Sequence, residues 1–455
     1  MDLYLDLDAA RGASLRARVE DALREGVRGG LLAPASRLPP TRALAAQLGV
    51  SRGVVVEAYA QLQAEGYLVA RPGAGTTVAV NGAARPAATA PAERASPPRY
   101  DLSPFVPALD AFPRGAWRVA LTRALRQAPD ARLGLPAGEG VPELRAALAA
   151  YLGRARGVRA TPEQVVVVNG LRQGLSLLWP ALAARGAQRV AIERAGWRGV
   201  EETATDAGLA VTPVAVDDDG LVVDDLAGHA GIDAVAVAPA HQYPTGAVLA
   251  PARRAAIVSW ARERGALVFE DDYDAEYRYD REPIGSLQGL APEHVVYGGS
   301  TSKSLAPGVR LAWLVLPPEL VEPIAALQRL RGGMPAALQQ LAFADFVESG
   351  ELDRHLRRQR RRYRRQRDAL LAALADALPD AEVRGAAAGL FVVLRLPAGV
   401  DQDTLRVAAR AVGVALDPSA RLEPPAVVIG YANLPEAAIV PAVGALAAAI
   451  RSARG

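Results

Sequence analysis

The chain contains a single lysine, Lys303, among 455 residues that include 51 arginines. A guanidinium stays protonated and cannot attack a carbonyl, whereas a lysine amine whose pKa is lowered can form a Schiff base. Lys303 ends the segment 298–303 (GGSTSK), which follows the short apolar run 295–297. A lone amine among glycine and hydroxyl residues at the end of a strand indicates a cofactor pocket; the alternative is a surface lysine retained by chance. We predict that Lys303 forms a Schiff base.

A second motif offers a binding site for a phosphate group. Asn169 and Gly170 follow the apolar run 165–168 and open a predicted helix, so that backbone N–H groups and the helix dipole can hold an anion. Hydroxyl groups and a guanidinium on either side of Lys303 can contact the same anion. The residues predicted to bind the phosphate are Gly170, Leu171, Arg172, Ser300, Ser302 and Arg310.

An acidic run, residues 270–274 (EDDYD), follows the apolar segment 267–269. A carboxylate at its head can keep the nitrogen of a pyridine ring protonated and so make the ring an electron sink. Taken alone, the run is also consistent with a calcium-like loop or a solvated turn. Along the chain, the phosphate-binding turn comes first, the carboxylate second and the lysine third, which is the order that a pyridoxal phosphate site requires. We therefore predict this cofactor.

The motifs are separated by apolar runs that alternate with helical patterns, which predicts an α/β fold with a mostly parallel central sheet. In open sheets of this kind, ligands bind at the carboxyl ends of the strands. The predicted strands are residues 165–168, 190–193, 234–238, 267–270, 295–297 and 311–316, and Pro251–Arg264 is one of the intervening helices.

The first 80 residues have a different pattern, of three short helices followed by a hairpin. Residues 14–28 carry an apolar face at four-residue spacing, and strands 67–70 and 76–80 flank a glycine-rich turn. Thr41 and Ser51 are the predicted N-caps of the second and third helices. Helix, turn, helix and wing is a DNA-binding arrangement. The residues predicted to contact DNA are Thr41, Arg42, Ser51, Arg52 and Arg71.

Composition limits the remaining possibilities. The net charge of +3 is too mild to prove a nucleic-acid partner, and no apolar segment approaches the roughly 20 residues of a membrane span. The absence of cysteine and the four scattered histidines exclude disulfides and make a metal site improbable. We expect a cytoplasmic protein without membrane contact. The Ala/Pro-rich residues 81–100 predict a linker between domains of residues 1–80 and 101–455, and a disordered loop within one domain is the alternative.

Residues 37–68 contain RLPPTRALA, LGVSR and AYAQLQAEGYL, which resemble the winged helix-turn-helix of the GntR family. Residues 101–455 resemble fold type I aminotransferases through FPRGAW (112–117), HQYPTG (241–246), the acidic run, the Lys303 segment and Arg310. The whole chain therefore resembles the MocR subgroup of GntR regulators. The resemblance implies a head-to-tail homodimer that binds double-stranded operator DNA and senses pyridoxal phosphate, alone or with a small amine.

The resemblance also implies roles for individual residues. It makes Lys303 the lysine of the Schiff base and pairs Asp271 with the pyridine nitrogen. Tyr243 and Tyr273 would lie near the phenolic oxygen of the cofactor, and Trp197 would lie by the face of its ring.

Two positions depart from the family pattern. Val428 stands where family members carry an arginine that binds a substrate carboxylate, and segment 134–136 (GLP) lacks a tyrosine that would reach the phosphate of the partner subunit. Because valine cannot form the paired hydrogen bonds of a guanidinium with a carboxylate, we expect poor recognition of ordinary α-amino acids. A regulator is therefore favoured over two alternatives, an active aminotransferase with an appended DNA-binding domain and a scaffold that has lost its cofactor.

Overall fold

The computed structural model describes residues 5, 7, 14–71, 75–79, 97–280, 284–417 and 422–454. The chain divides into two compact units, residues 1–96 and residues 97–455. Tyr100, which the sequence pattern places at the end of the linker, begins a short strand of the second unit. Residues 81–96 of the predicted linker lie outside the described residues.

The described residues of the first unit form three helices and a two-stranded wing. Its elements are α1 (Leu15–Arg28), α2 (Thr41–Leu48), α3 (Arg52–Ala64), β1 (Leu68–Arg71) and β2 (Gly75–Val78). Ser51 caps α3, because its side chain accepts a hydrogen bond from the N–H of Val54. Gly49 ends α2 in the left-handed conformation. Both of these features agree with the sequence prediction.

Two predictions for this unit are wrong in detail. Thr41 is the first helical residue of α2 rather than its cap, since Pro40 occupies the N-cap position and no side chain caps this end. Pro40 has ψ 146, outside the helical range, so Thr41 is the first helical residue. Leu15 lies on the apolar face predicted for residues 14–28, but its side chain is 46% exposed. Val19, Leu23 and Val27 of the same face are buried.

A seven-stranded sheet forms the centre of the second unit. In sheet order its strands are β4 (Val165–Val168), β12 (Ala312–Val315), β11 (Val295–Ser300), β10 (Leu267–Asp272), β9 (Ala234–Val237), β5 (Arg189–Glu193) and β6 (Ala210–Val214). β12 runs antiparallel to both of its neighbours, and the other pairs are parallel. The predicted α/β fold with a mostly parallel sheet is confirmed. The sequence missed only β6 of these strands, because it lies at the sheet edge and is partly exposed.

Helices cover both faces of this sheet, which explains why its strands contain continuous apolar runs. Val165 and Val167 of β4 enter one core cluster, whereas Val166 and Val168 enter another. The α-helices described in the second unit, not all of which contact this sheet, are α4 (Arg114–Gln127), α5 (Pro142–Arg156), α6 (Leu171–Ala184), α7 (Arg198–Asp206), α8 (Val223–Gly228), α9 (Pro251–Arg264), α10 (Thr301–Ser304), α11 (Pro318–Leu330), α12 (Ala337–Glu348), α13 (Glu351–Ala377), α14 (Gln402–Ala411) and α15 (Glu436–Arg454).

The C-terminal part of this unit contains a smaller antiparallel sheet. Its strands, in order, are β13 (Val383–Arg384), β14 (Phe391–Arg395) and β16 (Ala426–Gly430). Two short pairs complete the strands: β3 (Tyr100–Asp101) with β15 (Val414–Ala415), and β7 (Val216–Asp217) with β8 (Gly220–Leu221). Among the described helices, α15 alone is long and apolar enough to cross a membrane. Ile439, Val443, Leu446 and Ile450 of α15 are buried in the same core cluster as alternate residues of β14, whereas Val440 is exposed, so one face of α15 packs against the core of this unit.

Candidate functional site

A cavity of about 310 Å³ is lined by residues at the carboxyl ends of β5, β9, β10 and β11, where an open α/β sheet binds its ligands. The remaining walls come from the segments that follow these strands, from residues 170–172 after β4 and from Phe105. Every residue predicted from the sequence to bind the cofactor lines this cavity: Gly170, Leu171, Arg172, Trp197, Tyr243, Asp271, Tyr273, Ser300, Ser302, Lys303 and Arg310. The fold thus brings together residues that are up to 140 positions apart in the chain.

Lys303 lies in α10, immediately after β11. Its Nζ donates a hydrogen bond of 2.8 Å to the main-chain carbonyl of Phe105 and lies 4.8 Å from the centre of the Phe105 ring. Burial lowers the pKa of Lys303 to about 8, although the negative charges of Asp274 and Asp271 oppose this shift. The neutral amine, which is the form that attacks a carbonyl, is therefore much more abundant near neutral pH than for an exposed lysine.

Asp271 presents a buried carboxyl to the cavity. Its Oδ1 has no hydrogen-bond partner among the described residues. Burial raises the pKa of Asp271 to about 7, and the nearby charges of Asp272 and Asp274 act in the same direction. A cationic N–H placed against Oδ1 would satisfy this oxygen and favour its ionised form. The carboxyl therefore fits the protonated nitrogen of a pyridine ring.

The acidic neighbours of Asp271 are engaged elsewhere, because successive side chains of a strand point to opposite faces. Glu270 accepts hydrogen bonds from the N–H groups of Leu287 and Gln288. Asp272 forms a buried ion pair of 2.7 Å with Arg156. Residues 270–272 of the acidic run are therefore the end of β10, and Asp274, which follows the strand, lies 2.9 Å from Nδ1 of His241. The run is neither a calcium-like loop nor a solvated turn.

A second part of the cavity wall, at Gly170, suits an anion. Gly170 is the N-cap of α6 with φ 108, a conformation that favours glycine. A Cβ at this position would lie 3.0 Å from the guanidinium of Arg310, which donates a hydrogen bond to the carbonyl of Asn169. Glycine thus lets the cation approach the N-terminus of α6. With Ser300 and Ser302, these groups form a cradle of the kind that binds phosphate.

Aromatic side chains also line the cavity, among them Trp197, Tyr243 and Tyr273. The guanidinium of Arg172 lies 5.5 Å from the centre of the Trp197 ring. Tyr273 donates a hydrogen bond of 2.7 Å to the carbonyl of His241, and Tyr243 donates one of 2.6 Å to a carboxylate oxygen of Asp417. Both tyrosine hydroxyls are thus engaged with the protein, and their contact with a phenolic oxygen stays a prediction.

Glu193 and Phe105 are among the residues of the cavity wall that the sequence pattern did not predict. Glu193 accepts hydrogen bonds of 3.3 Å from the N–H of Ala238 and 3.4 Å from the amide of Gln242, and burial raises its pKa to about 8. An acid at the end of the apolar run 190–193 was the available signal. Phe105 was not signalled by any pattern, since it reaches Lys303 from 198 positions earlier in the chain.

The first unit presents arginines that suit nucleic acid. Arg42 and Arg52 lie in the first turns of α2 and α3, Arg71 ends β1, and all three are exposed. Among the described residues of this unit, no carboxylate forms an ion pair with them, whereas Arg24 of α1 is bound to Glu65 at 2.9 Å. Guanidinium groups without such partners can contact DNA phosphates.

One more arginine lies beside the wing and was not among the predicted DNA contacts. A Cβ built at Gly75 would lie 3.0 Å from Nε of Arg37, and Arg37 forms an isolated β-bridge with Thr77. Arg37 is exposed, so it adds a further cation to the wing.

Comparisons with known proteins agree with both halves of the chain. Residues 15–78 match the bacterial regulatory proteins of the gntR family, and residues 109–446 match aminotransferase class I and II. The probable rhizopine catabolism regulatory protein MocR of Rhizobium meliloti is 33% identical, with 95% of this chain and 92% of the relative covered. The HTH-type pyridoxine biosynthesis transcriptional regulator PdxR of Corynebacterium glutamicum is 34% identical, with 91% and 90% covered. This chain belongs to the MocR subgroup of the GntR family.

A MocR-type protein of this kind is a DNA-binding transcriptional regulator with an aminotransferase-like domain. That domain is similar to the α-aminoadipate aminotransferase LysN from Thermus thermophilus, solved in complex with N-(5'-phosphopyridoxyl)-L-leucine. The TM-score is 0.70 at 26% identity, with 77% of this chain and 92% of LysN covered. The family and the fold predicted from the sequence are confirmed.

Proposed function

We propose that this MocR-type regulator binds pyridoxal phosphate through Lys303 and that occupancy of the site changes how its N-terminal domain binds operator DNA. One observation carries the proposal: the only lysine of the chain, the unpartnered carboxyl of Asp271 and the anion cradle at Gly170 line the same cavity. When bound, pyridoxal phosphate supplies an electron-withdrawing ring and a phosphate group.

Each of these protein groups fits one part of the cofactor. The amine of Lys303 is the nucleophile for the aldehyde carbon, and Asp271 would accept a hydrogen bond from the ring nitrogen. The N-terminus of α6 at Gly170, together with Arg310, would hold the phosphate. Trp197 would cover one face of the ring. The lining residues therefore include a group suited to each of these parts of the cofactor.

A regulator is better supported than an active aminotransferase. Val428 is buried in an apolar cluster with Tyr243, Phe391, Val393 and Ala426, so no cation is available from this position for a substrate carboxylate. Loss of a charge-assisted pair costs about 1.5–3 kcal/mol, or about ten- to a hundredfold in rate. Rapid multiple turnover with an α-amino acid and a keto acid would favour the aminotransferase instead.

We further propose that two cytoplasmic copies pair head to tail, each with a DNA-binding domain of residues 1–80 joined by residues 81–100 to a sensor of residues 101–455. Because one recognition helix reads only a few base pairs, the pair would bind a two-part operator of inverted or direct repeats. Light scattering of the purified protein should give twice the chain mass of 47.6 kDa. A single chain bound to operator DNA would contradict this assembly.

The regulatory step is tested by DNA affinity with and without cofactor. DNA selected by the protein from a random pool would be titrated with apoprotein and with protein saturated with pyridoxal phosphate, and binding followed by fluorescence anisotropy. We expect the cofactor to change the affinity by about 5- to 150-fold, the usual range of coupling between two sites.

The matched control for this titration is Lys303→Arg, which keeps a positive charge but cannot form a Schiff base. Its DNA affinity should not respond to pyridoxal phosphate. An equal response in the variant, or none in the wild-type protein, would refute the proposed regulatory step.

A further inference from the structure

Phe105 has an unfavourable backbone conformation at the cofactor cavity. Its φ is 71, in the left-handed region that a bulky side chain rarely occupies. Residues held in this region are costly and cluster at ligand sites. Arg310, another lining residue, shares the feature with φ 54. The strain at Phe105 suggests that its position over the site is needed.

Phe105 covers the amine of Lys303 with two different groups. Its carbonyl accepts a hydrogen bond of 2.8 Å from Nζ, and its ring centre lies 4.8 Å from the same nitrogen. The ring packs at centroid distances of 4.4 Å from Tyr243, 5.6 Å from Tyr273 and 6.0 Å from Phe391. The benzyl group is thus held on three aromatic neighbours and is half-buried.

Behind the Phe105 ring lies the apolar cluster that contains Val428. Phe105 packs against this cluster. The residue that lies over Lys303 therefore also packs against the cluster of Val428, the position at which the family resemblance implies a carboxylate-binding arginine. Within the described part of the chain, the cluster is made of apolar and aromatic side chains. A carboxylate placed there would lose hydration without gaining a cation, which is unfavourable.

We propose that Phe105 closes the side of the cavity through which a second amine would reach the cofactor, so that the regulator responds to pyridoxal phosphate itself and rejects amino acids. This inference rests on the proposed function and narrows its ligand to the cofactor. An entering amine must displace the Phe105 ring from its three aromatic neighbours and expose their apolar surface to water. Phe105 is therefore a specificity-determining residue, and it does not take part in the chemistry.

The test uses full-length protein loaded with pyridoxal phosphate and follows the visible absorption of the bound cofactor during titration with ethylamine or L-alanine. Phe105→Gly removes the ring and suits the left-handed backbone. Phe105→Leu is the matched control, since it retains an apolar cover. Phe105→Ala gives a second open variant if the glycine variant does not fold.

We expect the spectra of the wild-type protein and of Phe105→Leu to stay unchanged, while Phe105→Gly or Phe105→Ala responds to ethylamine. The open variants should need about tenfold more L-alanine than ethylamine, or still more, because the apolar cluster around Val428 offers no cation to the carboxylate.

The outcomes separate the two proposals. A wild-type protein without cofactor absorption would overturn both the proposed function and this inference. A wild-type protein that has the absorption and responds to ethylamine as readily as Phe105→Gly would overturn the inference alone. Open variants that ignore ethylamine, or that respond equally to L-alanine, would also contradict it.

Discussion

The Nζ atom of Lys303 donates a hydrogen bond of 2.8 Å to the main-chain carbonyl of Phe105. This contact fixes the amine inside the cavity that Asp271 also lines. A buried amine beside one carbonyl and an aromatic ring loses much of its hydration, which disfavours its protonated form. The surroundings that hold the amine in place therefore also lower its pKa, and the rate at which the amine reacts should depend on pH accordingly.

The first prediction concerns the pH dependence of cofactor capture by the apoprotein. Burial lowers the pKa of Lys303 to about 8, and only the neutral amine attacks the aldehyde. The rate constant for appearance of the bound-cofactor absorption should rise about tenfold per pH unit well below that pKa and level off above it. An exposed lysine in a peptide should continue to gain rate up to about pH 10.4. A protein profile that matches the peptide would show that the amine is not desolvated.

The second prediction concerns the buried ion pair behind the cofactor site. Arg156 and Asp272 are each 2% exposed and 2.7 Å apart, and Tyr297 donates a hydrogen bond of 2.7 Å to the same carboxylate. Arg156→Met leaves the Asp272 charge buried without its cation, and should lower the free energy of unfolding by about 3–5 kcal/mol. Urea denaturation of the apoprotein measures this loss.

Two controls test whether the loss of stability comes from leaving a buried charge unpaired. Arg156→Met combined with Asp272→Leu removes both charges and should recover most of the lost stability. Arg154→Ala removes the largely exposed partner of Asp353 and should cost less than about 1 kcal/mol. Equal losses in all three variants would show that the buried pair has no special role.

The residues that the sequence predicted correctly share a local signal. Lys303, Asp271 and Gly170 each follow an apolar run, and strands that run in the same direction have their carboxyl ends at the same edge of a sheet. Chain order and strand periodicity were therefore enough to place them in one cavity, and Pro251–Arg264 was predicted with the bounds that the structure has.

The residues that the sequence did not predict depend on tertiary packing. Phe105 meets Lys303 only after residues far apart in the chain have folded together, and an apolar residue in a loop gives no signal for a left-handed φ. The direction of β12 is also not encoded in its apolar pattern. However, only 11 residues separate β11 from β12, too few for a parallel crossover, so this antiparallel pair could have been deduced.

The third prediction assigns different DNA roles to two arginines. Arg52 begins α3, which we propose as the recognition helix, so Arg52→Ala should cost about 1–3 kcal/mol of operator affinity and relax base preference if Arg52 contacts a base. Arg71 lies on the wing. Arg71→Ala should weaken binding to all sequences alike and reduce the slope of log affinity against log salt by about one unit.

Gel-shift titrations of operator and unrelated DNA at several salt concentrations distinguish these two roles. Arg24→Ala is a suitable control, because Arg24 is already bound to Glu65 within the domain and should leave both quantities nearly unchanged. If Arg52→Ala leaves affinity and discrimination intact, α3 is not the recognition helix.

The most direct measurement of the central claim is the site of covalent attachment. Protein incubated with pyridoxal phosphate would be reduced with borohydride, digested and analysed by mass spectrometry. Because the chain has one lysine, the adduct can lie only at Lys303 or at the amino terminus among its primary amines. We predict a pyridoxyl group on Lys303, absent from Lys303→Arg. A pyridoxyl group found at the amino terminus alone, with Lys303 unmodified, would contradict the account.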